Sequence, residues 1–370
     1  MKFKTIGQYM SEIKGFTSGF DYLRIILSFA VLIWHSYVFT HSGADIDTVL
    51  RGPAGWAIYL VLPMFFALSG FLVASSLLRT NNLPVFLWLR FVRLFPALSV
   101  EVVLSALILG PLATTFALSD YFTDREFFRY FKNLFGIVQL RLPGVFGENP
   151  AAFIVNGSLW TVPYELECYI ALSILFVLTL TKKPRWLGSL FIVGLLGQTA
   201  VYLIYGAPAL RIDHLPGRQL ILLFLSGLVI YLNRDIVPKN GLAAFCSFLV
   251  GSLLIRDSQL YLLAVLPLAY ATVHLGLTQP KRNKVILSGD YSYGVYLYAA
   301  PIQQAAYHFT DFGKTFLGNL LLAAVFATLF AIFSWHAIEK PALKLKNLFN
   351  AKRMPPSLDV PSPTIYPKNG

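Results

Sequence analysis

Cysteine is almost absent from this chain: there are two, Cys168 and Cys246, in 370 residues. Both fall within apolar runs, which excludes a disulfide framework and a cysteine metal site. Charge is nearly as scarce. Asp, Glu, Lys and Arg together make 13% of the residues against 56% hydrophobic, and the mean hydropathy is +0.63. A water-soluble globule of this size has too little polar surface to cover that apolar excess. No internal repeat is visible, so the matched broken-helix halves common in transporters are not evident. The first apolar run is too long for a signal-peptide core and no small-residue cleavage site follows it, so it is read as an uncleaved anchor.

What the chain does have is long apolar stretches. Runs of roughly 17–25 apolar residues are long enough to cross a bilayer as helices. They predict an all-α, polytopic membrane helix bundle of about ten transmembrane helices, near 21–41, 55–78, 91–116, 157–180, 186–205, 218–232, 241–255, 259–277, 290–309 and 315–337. The short pair around Arg256 also fits one re-entrant hairpin. Residues 1–20 are then a cytoplasmic N-terminal segment, 21–347 the transmembrane domain and 348–370 a flexible, Pro-rich cytoplasmic tail. Basic loops stay cytoplasmic, and this arrangement puts about 21 of the 30 lysines and arginines inside and about 9 outside, with both termini cytoplasmic. The net charge of +12 is therefore mostly topological. It biases one face toward anionic lipid and gives no reason to invoke nucleic acid.

Arg24 and His35 stand out within the first span. Eleven helical steps return two side chains to one face within ~20° and separate them by about 16 Å along the axis. The arginine then marks one membrane edge and the histidine lies near mid-bilayer. An ionisable group at that depth is costly and is a functional candidate by default.

Further motifs accumulate in order: FDYLRIILSFAVLIWHS, PMFFALSGFL, RFVRLFPALSVEVVLSALILGP, LPGVFGENP, NGSLWTVPYELECYI, SYGVYLYAAPIQQ and HAIEKPALK. Together they make the chain resemble the bacterial integral-membrane acyltransferases of acyltransferase family three, in particular those that O-acetylate cell-surface polysaccharides. The resemblance implies a multi-pass protein of the bacterial inner membrane, acetyl-CoA (acyl-CoA) as donor substrate with no permanently bound cofactor or metal, and a polysaccharide or lipid-linked glycan as acceptor. It also implies that Glu165 belongs to a family motif, whereas Glu167 beside it does not. There are departures. Many relatives carry a histidine where this chain has Ala299, and some carry a fused extracytoplasmic hydrolase-like domain that is not seen here.

The residues fit that chemistry independently. His35 is suited to be a catalytic base for a hydroxyl proton, or to carry the acyl group itself; the sequence leaves both open. Arg24, Arg90 and Arg93 supply guanidinium forks for the phosphates of coenzyme A at the cytoplasmic mouth, and also read as ordinary inside anchors. Arg24 and Glu165 join His35 as catalytic candidates. Glu165 is expected on the acceptor side at the outer start of the fourth span, where the helix dipole is the simpler explanation of a carboxylate. Ser69, beside Gly70, is counted with the donor site, although small residues in spans usually let helices approach. Glu101 is expected either to meet an arginine or to line the pore, and His41, His214, His274, His308 and His336 to be structural. The outer stretch 117–156, rich in aromatics and arginine, is either an interfacial amphipathic helix or an aromatic platform for a sugar. A transporter or flippase of a glycan or lipid-linked sugar is the alternative function.

Overall fold

The computed structural model describes residues 3–15, 17–207, 217–284, 286 and 288–345. The tail expected beyond Asn347, together with Arg211 and His214, lies outside them. Among the described residues all regular structure is helical, with two isolated β-bridges and no strand. The chain runs through α1 (Ile6–Glu12), α2 (Ser18–Val38), α3 (Gly43–Arg51), α4 (Pro53–Thr80) and α5 (Leu83–Leu104). A π-helical turn, Ser105–Leu109, continues α5 into α6 (Gly110–Ala113). The short α7 (Leu118–Thr123) and α8 (Arg125–Tyr130) follow, then α9 (Val162–Val177), α10 (Pro184–Tyr205), α11 (Gly217–Leu232), α12 (Gly241–Leu254) and α13 (Val265–Gly276). The chain closes with α14 (Ser292–Phe309), α15 (Phe316–Ser334), a second π turn at Trp335–Glu339 and α16 (Lys340–Lys344).

Among the described residues, six helical segments are long and apolar enough to cross a membrane: Ser18–Val38, Pro53–Thr80, Leu83–Ala113, Gly157–Val177, Pro184–Tyr205 and Phe316–Lys344. Of three shorter apolar helices, Gly217–Leu232 and Tyr261–Gly276 pack against Pro53–Thr80, and Gly241–Leu254 packs against Tyr261–Gly276. The pair around Arg256 is a helical hairpin, tied at its tip where Arg256 donates to the Leu50 carbonyl at 2.8 Å.

Helix contact is set by small residues. A Cβ on Gly70 would lie 1.9 Å from the Phe224 carbonyl oxygen, and one on Gly227 2.0 Å from that of Ala67, so α4 and α11 meet backbone to backbone. This is the close approach that small residues permit in membranes, where apolar burial gives little drive between helices. Ala323, Ala327 and Ala331 of α15 form a second seam with Val295 and Ala299 of α14 and Leu32 of α2. Ala299 is thus a packing residue.

The ends of the bundle differ in charge. The N-terminal segment is folded rather than loose: a Thr5–Gln8 capping box starts α1, and Ile6 and Lys239 exchange backbone hydrogen bonds with Val237 and Lys4. Asn233 donates to the Pro184 carbonyl at 3.0 Å and Tyr22 to that of Lys281 at 3.0 Å. These ties bring the turns bearing Lys182, Lys183, Arg234, Lys239 and Arg282 to one end, here called the basic end.

At the opposite end, the stretch after α6 is a packed cap. Tyr121 and Tyr130 are fully buried, and Tyr121 donates to the Ala106 carbonyl at 2.7 Å, inside the π turn that frees it. Phe128 and Phe135 face outward, so the segment combines a buried aromatic core with an apolar rim. Gln304 of α14 clasps the return loop, donating to the carbonyls of Ala151 (2.8 Å) and Ile154 (2.6 Å), while Asn149 donates to its Oε1 at 2.7 Å.

Candidate active site

Helix α5 begins earlier than the hydropathy pattern suggests. Asn82 caps it, its side chain accepting from the Val85 amide at 3.1 Å, with Pro84 in the first turn. Arg90 and Arg93 are therefore two to three turns inside a helix rather than in a flanking loop. Two ionic layers result. In the first, Asp290, in the turn before α14, accepts from Arg24 of α2 at 2.7 Å and from Arg93 of α5 through the same Oδ2, while its Oδ1 accepts from Ser292 at 2.9 Å. Burial alone would raise the Asp290 carboxyl, but Arg93 and Arg24 hold it well below the usual carboxylate range. Asp21 and Arg282 extend the layer, at 3.7 Å from Arg24 and 3.6 Å from Asp21 respectively. Arg93 also lies over the Trp335 indole, 5.9 Å from guanidinium carbon to ring centre.

In the second layer Tyr169 donates to Glu165, one turn earlier on α9, and both lie within electrostatic reach of Arg90. Arg93 also acts on Glu165. Arg90 itself donates to Ser76 of α4 at 3.4 Å.

The start of α9 reaches these arginines because the chain before it dips into the bundle. Pro301 has no N–H for the Leu297 carbonyl that would normally receive it. Asn156 fills that gap from outside the helix, donating to Leu297 at 3.0 Å, and its own oxygen accepts from the Ser158 amide. The 3₁₀ turn Gly157–Thr161 then carries the fully buried Ser158 down beside Tyr296, whose hydroxyl is 2.7 Å from that of Thr161.

His35 lies above. Gln303 of α14 donates to the Leu32 carbonyl and to the Ser36 hydroxyl, both at 2.7 Å, so α14 follows α2 from Asp290 and Arg24 upward in the same direction. About three turns, ~16 Å, separate the ionic layer from the imidazole. The ring is half-buried, tilted on Phe39 at 5.6 Å, and its Nδ1 is buried with no hydrogen-bond partner among the described residues. Among those residues no carboxylate orients it, and no group of three or more His, Cys, Asp or Glu is arranged to hold a metal ion.

A helical bundle with clustered guanidiniums and, about three turns further along α2, an imidazole whose Nδ1 has no partner among the described residues admits several chemistries. The sequence comparison decides among them, for a family model described as an acyltransferase domain, acyltransferase 3, matches residues 17–338. The chain belongs to the acyltransferase 3 family. It is 27% identical over 348 residues to the O-acetyl transferase of Shigella phage Sf6, covering 87% of this chain and 94% of that protein. It is 24% identical over 378 residues to Nodulation protein 10 of Rhizobium leguminosarum bv. viciae, covering 94% of this chain and 99% of that protein. No solved structure matches.

The acyltransferase gathers Arg24, Arg90, Arg93 and Glu165 into adjoining layers with His35 on the same helix as Arg24. One expectation about position changes. Glu165 is not a solitary carboxylate at the outer surface but the partner of Tyr169 beside the arginines, because the Asn156–Thr161 segment descends before α9 begins. Glu101, expected either to meet an arginine or to line the pore, is buried, accepts from Ser105 at 2.8 Å and lies close to Asn156, with no ion pair to an arginine among the described residues. Ser69 is half-buried next to the Gly70 crossing. The other described histidines all have neighbours, with His41 stacked on Tyr37 at 3.9 Å, His308 edge-on to Phe146, His274 near Tyr270 and His336 within 3.2 Å of the Tyr291 hydroxyl. Sequence reasoning missed Asp290 and Tyr169. Tyr169 was legible as the i+4 neighbour of Glu165, whereas Asp290 lies 266 and 197 residues from its two partners.

Proposed function

We propose that this acyltransferase takes an acetyl group from cytoplasmic acetyl-CoA and transfers it across the inner membrane to a hydroxyl of a cell-surface or exported polysaccharide. The observation that carries the reading is the shared face of α2: guanidiniums gathered at Arg24, and the unpaired imidazole of His35 about 16 Å further along. That interval suits an extended donor whose phosphates rest on Arg24, Arg93 and Arg90 and whose thioester reaches mid-bilayer.

In direct transfer the acceptor oxygen attacks the thioester carbonyl carbon, a C–O bond forms and the C–S bond breaks. His35 takes the hydroxyl proton and passes it to the departing thiolate sulfur, returning neutral. If His35 carries the acyl group itself, the same bonds change in two steps through an acyl-imidazole. Glu165, held by Tyr169 and Arg90, supports the positive side of the site, and Ser69 lies along the donor passage. The name of the phage relative, an O-acetyl transferase, supports acetyl as the group moved.

The topology proposed is about ten spans with both termini cytoplasmic. What supports it is the basic end, where α1 and the lysine- and arginine-bearing turns gather. In cells making the acceptor glycan, His35→Ala is expected to lower its O-acetyl content by at least ~10²-fold at equal membrane protein. Undiminished acetylation by that variant would sink the proposal.

A further inference from the structure

The turn Ser288–Ser292 is the meeting point of four helices. Its carboxylate holds α2 and α5 through Arg24 and Arg93. On its other side the Ser288 and Tyr291 hydroxyls are 2.7 Å apart, and Tyr291 reaches His336 of the second π turn at 3.2 Å. A Cβ on Gly289 would fall 2.5 Å from the Trp335 ring, so the turn lies flat against the same indole that underlies Arg93. Everything in this turn fixes the place of one carboxylate.

Two guanidiniums directed at a single oxygen repel each other, and an anchored anion offsets that repulsion. Asp290 is fully engaged, since Oδ1 is taken by Ser292 and Oδ2 by both arginines. The arginines are not. Each gives Asp290 one N–H where a two-pronged pair would use two, and Arg24 Nε is buried with no hydrogen-bond partner among the described residues.

We propose that Asp290 is a positioning residue for the donor, clamping Arg24 and Arg93 into one cradle whose remaining N–H groups receive a phosphate of acyl-CoA. This rests on the acyl-CoA reading above. The alternative, a carboxylate that merely occupies the place of the phosphate, predicts the opposite sign: its removal would strengthen donor binding. Positioning predicts weaker binding, even though Asp290→Asn adds a net positive charge to the site.

The test measures coenzyme A binding, and KM and kcat for acetyl-CoA, on purified protein with wild type, Asp290→Asn, Asp290→Glu and Arg93→Ala in one series. Expected are at least a tenfold rise in both Kd and KM for Asp290→Asn with a much smaller change in kcat, and substantial recovery in Asp290→Glu. The double variant Asp290→Asn/Arg93→Ala should be no worse than Arg93→Ala alone, since both act on one cradle. Should Asp290→Asn not fold, Ser292→Ala, which keeps the charge and frees only Oδ1, is expected to raise KM several-fold in the same direction. Tighter or unchanged coenzyme A binding, a loss confined to kcat, or additive effects in the double variant would overturn the inference while leaving the donor reading intact. Failure of wild type to bind coenzyme A would remove both.

Discussion

At the scale of single residues, the site is defined by which polar atoms are satisfied and which are left open. Asp290 is satisfied on both oxygens and His35 is open at Nδ1. The first is the mark of a structural anchor for cations, the second of a group kept free for a proton or an acyl carbon. A pH dependence follows from Asp290. Its carboxyl titrates below the usual range because of Arg93 and Arg24, so the folded state binds fewer protons there than the unfolded chain. The stability it contributes is complete above about pH 4, the unfolded carboxylate value, and is lost as pH falls through the depressed folded value. The difference in thermal midpoint between wild type and Asp290→Asn in detergent should therefore stay constant from about pH 8 to 5 and shrink below about 4. A difference that instead grows on acidification contradicts the clamp.

At the scale of helices, most of the bundle is legible in the sequence because a bilayer demands long uninterrupted apolar runs. The α2, α4, α9, α10 and α15 stretches all follow that demand. The chief boundary error is at α5, where Arg90 and Arg93 break the hydropathy of what is one continuous helix; the Asn82-Leu83-Pro84 cap was the local signal that outweighs it. The Asn156–Thr161 descent was not legible, because it depends on the carbonyl that Pro301 leaves vacant on a distant helix. The same holds for Asp290, whose partners are assembled only by the packing of α2, α5 and α14. Small residues were legible as a class and the structure makes them specific. Replacing Gly70 or Gly227 with Leu should destabilise the α4–α11 crossing by about 3 kcal/mol or more, since a backbone carbonyl cannot yield as a side chain can. Thermal unfolding in detergent measures this, and an unchanged midpoint for both variants argues against the backbone contact.

At the scale of the whole molecule, the two ends carry different work. One gathers basic turns and the folded N-terminal helix, and the other is closed by an aromatic cap tied down by Gln304. With the basic end cytoplasmic, a cysteine introduced at the exposed Phe135 of the cap should react with an impermeant thiol reagent added to intact cells, in a background where the exposed native Cys246 is replaced by Ser. Protection of that cysteine would reverse the orientation.

The central claim is that an acetyl group crosses the membrane from donor to acceptor by way of His35. Inverted membrane vesicles loaded with the envelope polysaccharide and given radiolabelled acetyl-CoA from outside test it most directly. The account predicts label in the enclosed glycan with wild-type protein and none above background with His35→Ala. Equal labelling by the two proteins would contradict it.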